Sequence, residues 1–438
     1  MKTFAAAILA AGAVADVSNH WAVIMAGSNT YWNYRHQADS HHAVKLLMKQ
    51  GIPRDQIIHL AYDDVANNSM NPFQGQLFNV PITNDVSEAT LYEANVYNAD
   101  YVDYTGAETN KSNFFKVLLG DDSASGPVLK SDENSRVFVY FVDHGGAGLI
   151  CTPQSSSDWI YADELDATLQ QMKDKGMFKE LVFYLEACES GSMFPNLSES
   201  ENIYALTASN ATQSSYAAYC GSQAVIDQVN LNTCLADLFS INWMLDTEAA
   251  DVASETLKTQ QDNVKAKTTM SPVQVFGDTS FLSEPIGDFQ STLEPSADDF
   301  FMNMIHKAND IYKKVAAPAQ GHVEVRDSRD HKLHALTSWA ASEGTEEAYY
   351  ELQQEIDHRQ FVDALFKHVI DEDVPNVSDT PQNFDCLRLL VGGVEEMCGS
   401  WSDYSLKHVR KLANVCDSMS HDEVAEVYTK IGDFCGAF

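Results

Sequence analysis

Five short runs constrain this chain most: HWAVIMAG (20–27), IIHLAY (57–62), VFVYFVDH (137–144), LVFYLEAC (181–188) and IYALTASN (203–210). Each is apolar, β-branched or aromatic at nearly every position, with little polar alternation. Successive strand residues face opposite sides, so a run that is apolar throughout is buried on both faces. Helical stretches separate the runs, among them HAVKLLMKQG and ADELDATLQQMKDKG, the latter stopped by Gly176 as a helix C-terminal glycine. This alternation predicts an α/β unit whose mostly parallel sheet is covered on both sides, with ligands at the carboxyl ends of its strands. Those ends carry Asp143-His144-Gly145-Gly146 and Glu186-Ala187-Cys188.

The rest of the chain reads differently. Between about Gly287 and Gly344 periodicity breaks among Pro285, Pro295, Pro318 and Gly321, with one helical piece around Asp299–Lys314. After Glu346 the pattern is wholly helical, with Leu352, Ile356, Val362, Leu365, Phe366 and Val369 at helical spacing, then Leu406, Val409, Leu412 and Cys416, then Val424, Tyr428 and Ile431. The first 15 residues combine Lys2, an apolar run from Phe4 to Ala11 and Ala13-Val14-Ala15, the pattern of a cleaved secretory signal peptide. The expected organisation is therefore a signal peptide (1–15), an α/β domain (16–286), a connecting segment (287–345) and a helical domain (346–438). No later stretch reaches the about 18 continuous apolar residues of a membrane span.

Composition narrows the partners. With 28 Lys and Arg against 63 Asp and Glu, the formal charge is −35, which disfavours nucleic acid and anionic membranes. Sequons at Asn67, Asn110, Asn196, Asn210 and Asn376 fit entry into the secretory pathway, a route to an acidic vacuole-like or lysosome-like compartment or to secretion. There, eight cysteines should mostly pair. Cys386, Cys398, Cys416 and Cys435 read as two disulfides, and Cys220 with Cys234 as a third. Cys151 and Cys188 remain, and Cys188, flanked by Glu186 and Glu189 at a strand end, has the surroundings of a reactive thiol rather than a packed one.

A thiol attacks a carbonyl as thiolate and needs an imidazole to take its proton. His144 is the leading candidate, and the glycines after it let backbone N–H groups approach a reacting oxygen. Gly145 and Cys188 N–H would then form an oxyanion hole. Alone, an Asp-His-Gly-Gly turn is more often a polar turn or metal ligand, and a buried cysteine is more often inert. Both at neighbouring strand ends point to a cysteine hydrolase, a chemistry that calls for no cofactor or metal. A zinc site on His41-His42 is the weaker alternative, because the pair lies at the start of a helix without a second ligand pair.

The segments AGSNTYWNYRHQAD (26–39), YDDVANNSMNP (62–72), YFVDHGGAG (140–148), FYLEACESGSMF (183–194) and QSSYAAYC (213–220) closely resemble the legumains, the asparaginyl endopeptidases. The C-terminal cysteine spacing resembles the legumain prodomain. The resemblance implies a caspase-like α/β/α fold followed by an activation segment and a death-domain-like helical prodomain. It implies Cys188 as nucleophile, His144 as acid/base, Gly145 in the oxyanion hole and Asn33 orienting the histidine. It further implies an asparagine pocket built from Arg35, His36, Glu186, Ser214, Ser215 and Asp237, and a role for Asp143 as a succinimide linked to peptide ligation. The implied partners are peptide substrates with Asn at the cut, the chain's own prodomain as inhibitor, and cystatin-type inhibitors. The same residues serve hydrolysis or transpeptidation, and a non-catalytic relative is the reading from another class.

Three features depart from the family or bear on its control. Leu238 follows Asp237 where animal members often have tryptophan. The Cys220–Cys234 pair resembles a plant-type loop, expected to be bulkier on the primed side. From Glu346 onward there are 7 Lys and Arg against 19 Asp and Glu, so attraction of opposite net charges cannot hold the helical region on, and local contacts must. The expected plug is Arg326, Arg329 or a neighbouring residue of VEVRDSRD, facing Glu186 and Asp237.

Overall fold

The computed structural model describes residues 19–82, 86–291, 323–371 and 374–437. The expected signal peptide and the helical piece around Asp299–Lys314 lie outside these residues. Six strands form the central sheet: β1 (His20–Ala26), β2 (Ile57–Leu60), β3 (Arg136–Val142), β4 (Glu180–Glu186), β5 (Ile203–Thr207) and β6 (Gln274–Gly277). Their order is β6-β5-β4-β3-β1-β2. All pairings are parallel except that of β6 with β5. The two-faced apolar runs are buried as their composition requires: one core contains Val137, Val139 and Phe141 from β3, the other Phe138, Tyr140 and Val142.

Helices cover both faces. The longer ones are α1 (Tyr34–Lys49), α2 (Lys111–Leu118), α3 (Ala162–Asp174), α4 (Leu238–Ala249) and α5 (Leu257–Lys267). Gly176, two residues past α3, has φ +63°, which glycine adopts without steric cost. His41 and His42 fall in the middle of α1, not at a helix start. His41 stacks edge-on against His59 at 4.8 Å and His42 Nδ1 bonds Asn79 Oδ1 at 2.8 Å, so both are packed into the core.

The C-terminal residues form α6 (His331–Glu343), α7 (Glu346–Val369), α8 (Phe384–Cys398), α9 (Val409–Ser418) and α10 (His421–Cys435). Disulfides Cys386–Cys416 and Cys398–Cys435 tie α8 to α9 and α10. Helix α6 was not legible: it lies inside the stretch read as a connection. Helices α7 to α10 share one apolar cluster with the sheet domain, in which Ala147, Leu149, Trp159 and Tyr161 meet Leu387, Leu406 and Val409. At about 1.5–3 kcal/mol per fully buried aliphatic side chain, such contacts outweigh screened repulsion between two acidic surfaces. Gly146 and Gly148 let the surfaces close: a Cβ at Gly148 (φ +71°) would stand 2.8 Å from Pro381 Cγ, and one at Gly146 3.1 Å from Val409 Cβ. Local polar contacts add to the packing. Glu395 accepts from Ser156 N at 2.9 Å, and Arg388 pairs with Asp163 while lying over the Tyr161 ring.

Candidate active site

Parallel register brings the two strand ends together. Val142 pairs with Glu186, and Asp143 N–H donates to Glu186 O at 3.1 Å, so the residues after β3 and β4 emerge side by side. Gly145 packs so tightly on the Cys188 carbonyl that a Cβ there would lie 2.6 Å from it. Only glycine fits. Cys188 is buried, and Ser215 N–H donates to its Sγ at 3.3 Å, a contact that would favour a thiolate. Burial raises its pKa, with Arg329 pulling the other way. Cys151, the other free cysteine, is also buried, and its pKa is raised well above the usual thiol value by burial.

His144 Nε2 lies 2.8 Å from Asn33 Oδ1, and Asn33 Nδ2 donates to Asn29 O at 3.0 Å. That second bond fixes the amide with its oxygen toward the ring, so Nε2–H is the donor and Nδ1 keeps its lone pair. Nδ1 has no partner among the described residues and can accept a proton. Asp403, from the loop before α9, approaches Nε2 at 3.2 Å. Burial lowers the His144 pKa to about 4, against the opposing pull of Asp403.

Beside this pair lies a buried group of polar side chains. Arg35 Nε donates to Asp237 Oδ1 at 2.8 Å, while Nη1 and Nη2 lack partners. Glu186 Oε2 accepts from Ser240 N and Ser240 Oγ, both at 3.0 Å, leaving Oε1 without a bond. Asp237 Oδ2 accepts no hydrogen bond and faces His36 Nε2 at 3.4 Å. His36 Nδ1 pairs with Ser28 Oγ at 2.7 Å, and burial keeps the ring neutral. Burial, reinforced by the neighbouring Asp237 charge, raises the Glu186 pKa well above the ordinary carboxylate value; burial raises that of Asp237 too, against Arg35. Buried polar atoms are ordinarily bonded. Here Arg35 Nη1 and Nη2, Glu186 Oε1 and Asp237 Oδ2 are left without hydrogen-bond partners among the described residues. Ser215 Oγ lies 3.8 Å from Cys188 Sγ; Ser214 engages Ser209 through its carbonyl. His36, Asp143 and His144 also place possible metal-donor atoms within 4.8 Å of one another, a cluster inside the site itself.

Several neighbours of the candidate site escaped sequence reasoning. Ser240 anchors Glu186, and Tyr140 OH donates to Ser240 Oγ at 2.7 Å. Asp39 Oδ2 accepts from Asp237 N at 3.0 Å and thereby sets the carboxylate facing Arg35. Neither Ser240 nor Asp39 stands near the strand ends in sequence.

The expected arginine plug is corrected. Arg326 pairs with Glu324, and Arg329 Nη2 donates to Glu189 Oε1 and to Gly145 O, each at 3.0 Å. Neither reaches Glu186 or Asp237, because a short strand, Val325–Asp327, runs antiparallel on Tyr216–Ala218 and directs the arginine across the cleft. Arg410 of α9 takes the other oxygen of Glu189 at 2.9 Å. His331, at the start of α6, is buried beside Arg35 and His144, and its pKa falls well below the ordinary value, burial first and those charges after. The Cys220–Cys234 loop is corrected as well. It flanks Glu324, which precedes the part of the strand nearest Cys188, so it lies on the unprimed side.

Comparison with known proteins matches residues 20–292 to the Peptidase C13 family and residues 350–432 to the legumain prodomain. The chain is 36% identical over 424 residues to a vacuolar-processing enzyme of Vicia sativa, covering 91% of this chain and 82% of that protein. It is 36% identical to the hemoglobinase of Schistosoma mansoni (96% and 92% covered) and 33% identical to the legumain of Mus musculus (94% and 93% covered). Among solved structures it aligns with caspase-1 from Spodoptera frugiperda at a TM-score of 0.36 and 10% identity, over 63% of this chain and 94% of that one. With a peptidase match across the sheet domain and a prodomain match across the C-terminal helices, this chain belongs to the peptidase C13, or legumain, family and is a cysteine endopeptidase carried with its own prodomain.

Proposed function

We propose that the enzyme cuts peptide bonds after Asn, and after Asp at low pH, once acid has loosened the prodomain and the connection has been cut. The observation that carries the specificity is the set of four unpaired polar ends: Arg35 Nη1 and Nη2, Glu186 Oε1 and Asp237 Oδ2. Arginine donates to the amide oxygen and the acids accept from its NH2, and a pocket whose buried groups need both rejects side chains that supply neither. A protonated Asp side chain has the same donor and acceptor outline. Cys188 attacks the carbonyl, His144 Nδ1 takes the thiol proton and returns it to the leaving amine, and Asn33 holds the ring. Gly145 and Cys188 N–H receive the oxyanion, and water or a second amine resolves the thioester.

The working organisation is a signal peptide over 1–15, a catalytic domain over 16–286, an activation segment over 287–345 and a prodomain over 346–438. Relatives named as vacuolar-processing enzymes support an acidic compartment of the secretory pathway, and cystatin-type proteins are the expected external inhibitors. The test is a peptide panel varying only the scissile residue, run on processed enzyme and on Cys188→Ala. Cleavage after Asn, abolished in the variant, supports the reading. Equal cleavage after Asn, Gln and Ala refutes the pocket, and activity persisting in Cys188→Ala refutes the nucleophile. An added amine separates hydrolysis from ligation by product mass.

A further inference from the structure

The segment before α6 lies in the cleft as a substrate would. Val325, Arg326 and Asp327 pair antiparallel with Ala218, Ala217 and Tyr216. The ladder extends in both directions: Ser328 N–H donates to Ser215 O at 3.1 Å, and Cys220 N–H donates to Glu324 O at 3.2 Å. Ser215 is the residue whose N–H reaches Cys188 Sγ, and Ser328 Oγ stands 3.4 Å from its hydroxyl. Ser328 therefore takes the position of the scissile residue. A serine is too short to engage the amide pocket, whose four polar ends stay unpaired beside it. The rest of the segment is then a template for what the cleft recognises on the amino side of a cut.

The most completely received residue of that template is Glu324, four positions before Ser328. Its N–H donates to Gln223 Oε1 at 2.7 Å. Its carboxylate accepts from Ser222 N at 3.2 Å and from Ser222 Oγ at 2.9 Å. Gly221 (φ +54°) makes the approach possible, since a Cβ there would lie 2.4 Å from Glu324 Oε1. The turn is fixed from behind by the Cys220–Cys234 disulfide and by Asn230 Nδ2, which donates to Gly221 O at 2.8 Å. A glycine that clears space, an N–H and a hydroxyl aimed at one carboxylate oxygen make a built anion subsite on a loop held in shape.

We propose that the turn Cys220–Gln223 is a specificity subsite for an acidic side chain, Glu before all, on the fifth substrate residue counting back from the scissile Asn as the first. This rests on the assignment of Cys188 and its pocket above. The strong negative charge of the whole protein opposes acidic peptides at long range but is screened beyond about 8–10 Å at physiological salt, whereas the Ser222 donors act in contact. Within the segment Arg326 also pairs with Glu324 at 2.5 Å, so the third substrate residue must be kept neutral to isolate the turn.

The experiment uses processed enzyme and peptides that share Asn at the cut and Ala at the third residue, with Glu, Gln or Lys at the fifth. It is run above the ordinary Glu pKa, so that the carboxylate is charged. Charge-assisted bonds of this kind predict about a tenfold higher kcat/KM for Glu than for Gln, falling to about twofold or less in Ser222→Ala and in Gly221→Ala. Selectivity for Asn over Gln at the cut should not change in either variant. Equal rates for Glu and Gln in the unaltered enzyme, or a Glu preference that survives both substitutions, overturns the subsite. Cleavage after some other residue, with the Glu preference intact four positions upstream, overturns the pocket reading alone. No cleavage of any peptide overturns both.

Discussion

Two histidines at the prodomain interface give a worked expectation for acid sensitivity. His144 is buried under Asp403, and His331 is inserted from α6 among Arg35, His144, His36 and the neighbouring Lys332. Both are held neutral, with pKa values below the ordinary imidazole value, that of His144 at about 4. A group depressed in the closed form takes up its proton more readily once the form opens. Closed-form stability is therefore fully present above about pH 6.5 and declines as pH falls through that value, until the closed-form pKa is passed. If release restores His144 to the ordinary value, moving from about pH 7 to pH 5 costs the closed form about 2 kcal/mol from this residue alone. His331 adds in the same direction. Glu186 and Asp237 are not the acid trigger in this account, since neither holds an arginine of the segment. The perturbation is His331→Gln in a Cys188→Ala background, where no cleavage can follow opening. Hydrogen exchange of the α9 amides, read from about pH 7 to pH 5, reports the opening free energy. The background protein should lose protection steeply across that window, and His331→Gln should flatten the dependence while keeping part of it through His144. An identical pH slope with and without His331 would refute the assignment.

Other substitutions probe separate parts of the molecule. Arg35→Ala should lower kcat/KM for Asn peptides by the loss of charged donors worth about 1.5–3 kcal/mol, measured by steady-state kinetics; unchanged Asn:Gln:Ala ratios would contradict it. Arg410→Gln leaves Glu189, 3% exposed, with Arg329 alone. It should weaken prodomain closure by about 2–3 kcal/mol, below the full cost of orphaning a buried charge, seen as opening at higher pH in the same exchange assay. Replacing Cys386 and Cys416 by Ser removes a 30-residue link and should cost the helical region about 3–4 kcal/mol in the chain-entropy account, read by denaturant unfolding.

What the sequence disclosed follows the locality of the signal. The strands were legible because two-sided burial leaves continuous apolar runs, and the strand ends exposed His144 and Cys188 together. The disulfide-linked helices were legible from period and cysteine spacing. The grip on Glu189 was not: its arginines are 140 and 221 residues away, and nothing near Glu189 announces them. His331 looked like any histidine in a stretch without periodicity, and Asp403 like a loop acid. The side on which the Cys220–Cys234 loop lies depends on which way a peptide runs through the cleft. Only the strand pairing of Val325–Asp327 with Tyr216–Ala218 carries that direction.

The three disulfides each close within one region: Cys220–Cys234 in the sheet domain, Cys386–Cys416 and Cys398–Cys435 within the helices. Among the described residues, then, only the backbone of the connection links enzyme to inhibitor covalently. While it is whole, the prodomain faces the cleft at an effective concentration on the order of millimolar, so an opened prodomain can close again. A single cut turns the same contacts into a two-body equilibrium. At nanomolar enzyme the inhibitor's effective concentration drops about a million-fold, equivalent to about 8 kcal/mol. No contact need change for this, and no reductant is needed. Dilution alone makes the first opening that is followed by a cut a one-way event.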